Sequence, residues 1–251
     1  MTGSIGPPAD KDHCDLSKLE AFRGLSPSLI AELETICRPM TYPAETTLIG
    51  MEETPEYFGY VRRGILRMQR IHLDGTGQIV GLVAEGDVFG PLFEGISEVA
   101  IESVTEVSVL HFRRGPFEAL MSRSVELEHF MLQKLMIDLD RTRDWMLVLL
   151  NRKVTERLAG FLVVLCIRYA NVDHLVRWDD GRLEIRVPIS RCDLASLLGT
   201  RVESVSRAFS ALAKRGIIHP KTPYLVEVRD VRQLLEEAGG EIMGTVTGLR
   251  G

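Results

Sequence analysis

Cysteine is scarce in this chain of 251 residues, and the four that occur, Cys14, Cys37, Cys166 and Cys192, stand far apart with no CxxC pair. That spacing suggests neither a disulfide framework nor a zinc site, and each thiol is expected to be reduced and mostly buried. Long hydrophobic runs are missing as well. The two longest, 145–150 and 160–167, fall far short of the roughly 20 residues needed to cross hydrocarbon, so no membrane partner is expected. The opening stretch, 1–12, lacks the basic start and apolar run of a secretory signal. It reads as part of a loose tail over 1–16 of a cytoplasmic protein, with a second flexible tail over 239–251. Catalytic spacings are absent too: Ser190 has no nearby histidine, and the six histidines form neither HxxxH nor HxH. No enzyme, cofactor or metal is therefore expected.

What is present is an ordinary globular composition, 45% hydrophobic and 26% charged, which excludes disorder and collagen. At about 100–200 residues per domain, the length suits two modest domains. A net charge of −5 argues on its own against a polyanionic partner, but the average hides an asymmetry. Between Arg186 and Lys221 there are seven bases, Arg186, Arg191, Arg201, Arg207, Lys214, Arg215 and Lys221, against only Asp193 and Glu203. A basic segment rides on an acidic carrier.

Helical spacing over 17–22 and 26–37, with Ser26-Pro27 as cap and first-turn proline, leads into short β-rich runs at 57–61, 65–71, 78–84, 99–104 and 107–112. Regular short strands mean a sandwich or barrel, and Asp74-Gly75-Thr76-Gly77 signals a tight hairpin within a domain over 17–116. From 117 to 150 there is neither Gly nor Pro, which predicts one long helix. Apolar residues recur every seven positions at Val125, Leu132, Leu139 and Met146, with a second row at Leu135 and Leu149 interrupted by Glu128 and Thr142. The competing reading is a helix that packs on its own β-domain, but a seam longer than that small domain, with a polar Thr inside it, predicts pairing with a second copy as a two-fold homodimer.

A further domain is expected over 151–238, opening with a helix at 153–170 and a strand at 183–187 after the turn Asp179-Asp180-Gly181. Ser190-Arg191-Cys192-Asp193 has the capping-box form and opens a short helix, which Gly199 stops. Thr200-Arg201-Val202-Glu203 repeats the cap signature and opens a second helix with Val202, Val205, Phe209 and Leu212 inward. Two helices joined by such a turn are a helix-turn-helix. A hairpin made of 216–218, a Pro-bounded turn at 219–223 and 224–228 makes the unit winged. On the second helix Glu203, Ser206, Arg207 and Ser210 share the face opposite the apolar one. Arg can donate to guanine, Glu can accept from cytosine, and Ser can serve either. That combination predicts base reading in double-stranded DNA by Glu203, Ser206 and Arg207. Phosphate contacts are expected from Thr200, Arg191, Arg201, Ser210, Lys214, Arg215 and Lys221. The competing readings are an i,i+4 pair between Glu203 and Arg207, and a small-molecule sensor module whose helix-turn-helix serves protein contacts.

The order β-domain, long helix, winged helix-turn-helix, together with Val202-Glu203-Ser204-Val205-Ser206-Arg207 and Arg157-Leu158-Ala159-Gly160-Phe161, resembles the CRP/FNR family of bacterial transcription regulators over about residues 19–235. The resemblance implies an α+β fold with an N-terminal antiparallel β-roll of cyclic-nucleotide-binding type, a dimerisation helix and a C-terminal winged helix-turn-helix. With Val202 and Ser206 where the cAMP-receptor branch has Arg and Gly, the match is to the FNR and FixK branch. That branch implies a homodimeric regulator, usually an activator working with RNA polymerase, that reads TTGAT…ATCAA palindromes through Glu203, Ser206 and Arg207.

The sensor functions of the family fit poorly. Gly86-Asp87-Val88-Phe89-Gly90 keeps the turn of a cyclic-nucleotide site, but Pro91 replaces its Glu, and 83–110 holds six acids and no Lys or Arg. A phosphate buried without a counter-charge costs several kcal/mol, so cAMP binding is not expected. Cys14 and Cys37 precede the β-domain and none lies inside it, so a four-thiolate iron-sulfur cluster is not available. His72 and His13 are the remaining formal haem ligands, and a lone His is far more often an ordinary surface or core residue. Cys192 is a candidate redox site, because the first turn of a helix and the neighbouring Arg191 favour a thiolate. Its bland alternative is a small residue filling the helix-turn-helix.

Overall fold

The structure, a computed structural model, describes residues 14–72, 77–170, 172, 174–179 and 182–239. The chain divides between Leu135 and Met136 into two compact units.

The first unit opens with two 3-10 turns, Leu16–Lys18 and Glu20–Phe22, where the sequence suggested helix. Helix α1 (Pro27–Ile36) follows, with Pro27 in its first turn as expected. Ser26 makes no side-chain cap bond within α1. Its N–H and hydroxyl donate instead to Glu126, which supplies the acceptor from 100 residues away. Strands β1 (Cys37–Tyr42), β2 (Thr47–Ile49), β3 (Tyr57–Arg63), β4 (Leu66–Ile71), β5 (Gly77–Val83), β6 (Val88–Phe89), β7 (Ala100–Ser103) and β8 (Val107–Arg113) build two antiparallel sheets, ordered β1-β8-β3-β6 and β2-β7-β4-β5. β1, β2 and β6 escaped the sequence reading. β1 carries Pro39, which an edge strand tolerates because the missing N–H faces away from the ladder. The Asp-Gly turn between β4 and β5 lies outside the described residues, although the strands it joins pair from Ile71 with Gly77 onward.

Two expectations fail at the N-terminus. Cys14 and Leu16, assigned to a loose tail, are buried. Cys14 is also disulfide-bonded to Cys37, with the Cα atoms 6.6 Å apart. The 3-10 turns fold the segment back onto the start of β1, a proximity that a separation of 23 residues does not reveal. Around this link Leu16, Phe22, Leu29 and Leu33 pack against Phe58, Tyr60 and Phe112, with Phe22 edge-on to Tyr60 at 5.2 Å between ring centroids. A second core, inside the two sheets, gathers Ile49, Val61, Leu66, Phe89, Ile101 and Val109.

The single long helix expected over 117–150 is two helices, α2 (Arg114–Met121) and α3 (Val125–Leu150). Serines break it, since their hydroxyls offer the backbone local partners that compete with the helix ladder. Ser122 Oγ donates to the Ala119 carbonyl, and Ser124 Oγ accepts from the Leu127 N–H at 3.2 Å.

In the second unit Trp145 of α3 packs on Phe161 of α4 (Val154–Arg168), their ring centroids 5.8 Å apart. All nine residues from Leu158 to Cys166 are buried, so α4 is a core helix rather than a surface one. Truncating a Leu such as Leu158 in such a place costs about 2–5 kcal/mol. Around it lie β9 (Val176–Asp179), β10 (Arg182–Arg186), α5 (Arg191–Leu197), α6 (Val202–Lys214), β11 (Ile218–Thr222), β12 (Leu225–Val228) and α7 (Val231–Glu237). The strands form one sheet, ordered β11-β12-β10-β9, so the expected hairpin is the edge of a four-stranded wing. Most of the turn expected over 219–223 is strand, with Pro220 again on an edge and only Pro223-Tyr224 turning the chain. Asp180 and Gly181 of the expected turn before β10 lie outside the described residues, as does the tail from 240 onward.

Candidate nucleic-acid interface

The two capped helices are built as the residue pattern implies at α5 and differently at α6. Ser190 Oγ accepts from the Asp193 N–H at 3.0 Å, capping α5. Gly199, at φ +60, ends it in a left-handed residue that glycine adopts without Cβ strain. The Gly199 N–H then donates to Ser196 O, and the Thr200 N–H to Ala195 O at 2.9 Å, so two end carbonyls of α5 are satisfied. Thr200 is therefore part of the turn and is not the cap of α6. Arg201 holds that position and makes no side-chain cap bond.

Helix α6 buries Val205, Ala208, Phe209 and Leu212, while Val202, expected inside, is half-buried. Glu203, Ser206, Arg207 and Ser210 are all exposed, on the opposite face. Arg207 Nη2 donates to Ser204 Oγ at 3.1 Å, so the i,i+4 pair with Glu203 is not its partner. Ser210 Oγ donates to the Ser206 carbonyl at 3.1 Å, which spends its proton inside the helix.

The basic residues do not behave alike. Arg201 and Lys214 are exposed and Thr200 is half-buried. Arg215 is paired with Glu237 at 2.6 Å. Lys221 donates to Glu184 and lies 3.2 Å from Glu227. Lys221 also holds the Glu227 carboxyl below the usual range, so this lysine is part of a ladder across β10, β11 and β12. Arg191 is half-buried, its guanidinium over the Phe209 ring, and burial disfavours its charged form. Cys192 is exposed in the first turn of α5, which removes the alternative that it fills the motif. Tyr224, 50% exposed at the wing tip, was read from sequence as an ordinary strand residue.

The turn 86–90 survives in the roll, with Gly86 and Gly90 both at positive φ and the buried Asp87 accepting from the Ala84 N–H at 2.9 Å. The space within the sheets is occupied by side chains. The far end of the Phe89 ring abuts Gly59, where a Cβ would sit 2.1 Å from it. Tyr57 stacks on His111 at 3.8 Å and bonds the Leu48 carbonyl. Glu102 is paired with Arg67 of β4, which also binds Glu45, so this base is already held by two carboxylates. These residues do not fit a cyclic phosphate. His72 is exposed beside Gln78, and His13 lies outside the described residues. His111 is the buried histidine among the described residues, and nothing in its strand pattern marks it in the sequence.

Residues 156–237 match the Crp-like helix-turn-helix domain and residues 39–124 the cyclic nucleotide-binding domain. The chain is 31% identical over 215 residues, 86% of each protein, to the transcriptional activator protein FnrL of Cereibacter sphaeroides. It is 26% identical over 205 residues to the nitrogen fixation regulation protein FixK of Bradyrhizobium diazoefficiens, spanning 82% of this chain and 84% of that one. The solved structure of FixK2 from Bradyrhizobium japonicum is similar with a TM-score of 0.70 at 28% identity, over 80% of this chain and 96% of that one. A roll of two antiparallel sheets, a long helix and a winged helix-turn-helix, with relatives of this likeness, make the chain a member of the CRP/FNR family of transcription regulators, of FNR/FixK type.

Proposed function

We propose that two copies of the chain pair along α3 and set their α6 helices in successive major grooves of an inverted repeat of TTGAT…ATCAA type, activating transcription from it. The observation that carries this reading is the joint exposure of Glu203, Ser206 and Arg207 on one face of α6. A carboxylate, a hydroxyl and a guanidinium on adjacent turns can each answer a different base edge. Arg201 and Lys214 neutralise phosphates beside them, while Arg191, Arg215 and Lys221 serve the packing of the domain first. Two-fold symmetry sets the half-sites about one helical turn, roughly 34 Å, apart.

Pairing is supported by the seam of α3. Val125 is 81% exposed, Leu132 56% and Met146 59%, with Leu135, Leu139 and Leu149 beside them. Such an apolar row on one chain favours a covering surface, and a heptad row favours its own copy. RNA polymerase is the further partner that family membership favours. The protein acts in the cytoplasm, with no cofactor and no membrane partner. Mobility shift of the purified protein on a TTGAT…ATCAA duplex and on a scrambled duplex tests the reading. Tight binding to the first alone, falling steeply between about 50 and 200 mM salt, is expected. Equal, salt-insensitive behaviour on both would leave the helix-turn-helix to protein contacts instead.

A further inference from the structure

The last four carbonyls of a helix have no partner within it, and the helix dipole leaves that end partly negative. In the second unit, three such ends converge on two side chains. Asn151 follows the last residue of α3, and its carbonyl accepts from Arg157 Nε at 2.8 Å. Arg157 Nη1 donates to the carbonyl of Leu198, the C-terminal cap of α5, at 2.9 Å, and to Gly199 O in the α5–α6 turn at 3.4 Å. The side chain of Asn151 donates to the carbonyl of Ala238, the cap of α7, at 3.4 Å. One half-buried guanidinium therefore joins the end of α3 to the turn of the helix-turn-helix. A planar fork of fixed donors can hold two carbonyls in one geometry, whereas an ammonium is a point donor on a flexible stem.

We propose that Arg157 is a positioning residue for DNA readout. It touches no base and fixes the α5–α6 turn against the end of α3, so that α6 is presented at one angle. This rests on the reading of the chain as a paired DNA-binding protein. In a pair, a fixed angle appears as intolerance of altered half-site spacing. A loosened turn lets each α6 find its own groove.

The test measures affinity of the full-length protein for the inverted repeat, for repeats with the spacer lengthened or shortened by one base pair, and for a single half-site, alongside thermal melting. Wild type is expected to discriminate strongly between spacers. Arg157→Met should lose about tenfold of that discrimination while changing half-site affinity by no more than about twofold, and Arg157→Lys should fall between. Unchanged spacer discrimination in a folded Arg157→Met protein overturns the proposal. So does a uniform loss on every duplex that tracks a lowered melting temperature, which would mark a purely structural residue. If Arg157→Met does not fold, Arg157→Lys carries the same readouts, and wild-type discrimination in it overturns the proposal equally. A wild-type protein with no preference for the repeat over random duplex would instead defeat the DNA reading, and this inference with it.

Discussion

The guanidinium of Arg191 lies 3.4 Å from the centroid of the Phe209 ring, tying the first turn of α5 to the buried face of α6. A cation over a ring face in a partly desolvated place contributes about 0.5–2 kcal/mol. Arg191→Ala should therefore lower unfolding stability by that order, measured by urea denaturation, with Arg191→Lys recovering part of it. An unaltered denaturation midpoint together with weaker binding to all DNA would return Arg191 to the phosphate set in which its charge first placed it.

Base reading and phosphate contact separate by their dependence on sequence. Arg207→Ala should cost about 1–3 kcal/mol on the palindrome and relax preference at a single base position. Lys214→Ala should weaken palindromic and random duplexes alike and reduce the salt slope by about 1. Lys221→Ala should have less effect on the slope than Lys214→Ala, because its ammonium is already engaged by Glu184 and Glu227. Titrations at several salt concentrations give all three numbers. The same slope change for Lys221 and Lys214 would contradict the division between them.

The helix-turn-helix was legible because its signals are local: a Ser cap, a glycine stop and a 3.6-residue apolar period lie within 25 residues of one another. Partnerships between distant residues were not. Nothing near Cys14 announces Cys37, nothing near Ser26 announces Glu126, and the acids that hold Arg215 and Lys221 come from α7 and from neighbouring strands. Charge counted along the chain thus does not show which bases already have acidic partners. The break in the long helix is hidden for a different reason. Ser122 and Ser124 are tolerable helix residues by propensity, and only their competing hydrogen bonds reveal the interruption.

His111 gives the fold an acid-sensitive point. It is buried between Tyr57, Tyr42 and Phe89, its Nε2 has no hydrogen-bond partner among the described residues, and burial lowers its pKa to about 4. The unfolded chain binds a proton near pH 6.5 and the folded chain does not. Full stability therefore holds above pH 6.5 and is lost as the pH falls from there toward 4, by up to about 3 kcal/mol. Urea denaturation at pH 7 and pH 5 should show the loss, and His111→Gln should flatten it. An equal loss in that variant would assign the acid sensitivity to other groups.

Cyclic AMP should not bind the roll. Phe89 and the stacked Tyr57 and His111 occupy its interior, Pro91 stands where the ribose-holding acid would be, and Arg67 is held by Glu45 and Glu102. Calorimetric titration should give no heat of binding up to millimolar nucleotide, and operator affinity should be the same with and without it. Saturable micromolar binding would mean that the Arg67 carboxylates release the guanidinium to a phosphate.

The seam of α3 makes opposite predictions for two of its positions. Leu139 is 45% exposed on the single chain, so burying the rest of its apolar surface on pairing contributes roughly 1 kcal/mol from each copy. A carboxylate at that point would also be desolvated against its own symmetry mate, at several kcal/mol. Leu139→Glu should shift sedimentation to monomer and abolish palindrome binding while leaving the melting of each protomer largely intact. Thr142 lies in the second row of the seam, between Leu135 and Leu149, but its hydroxyl already donates to the Asp138 carbonyl of its own helix at 2.9 Å, so it is not needed across a seam. Thr142→Leu should therefore strengthen dimerisation. A weakened dimer in that variant would mean that the hydroxyl bonds the facing helix, and an unchanged monomer–dimer balance in both variants would place the dimer contact elsewhere than on this row.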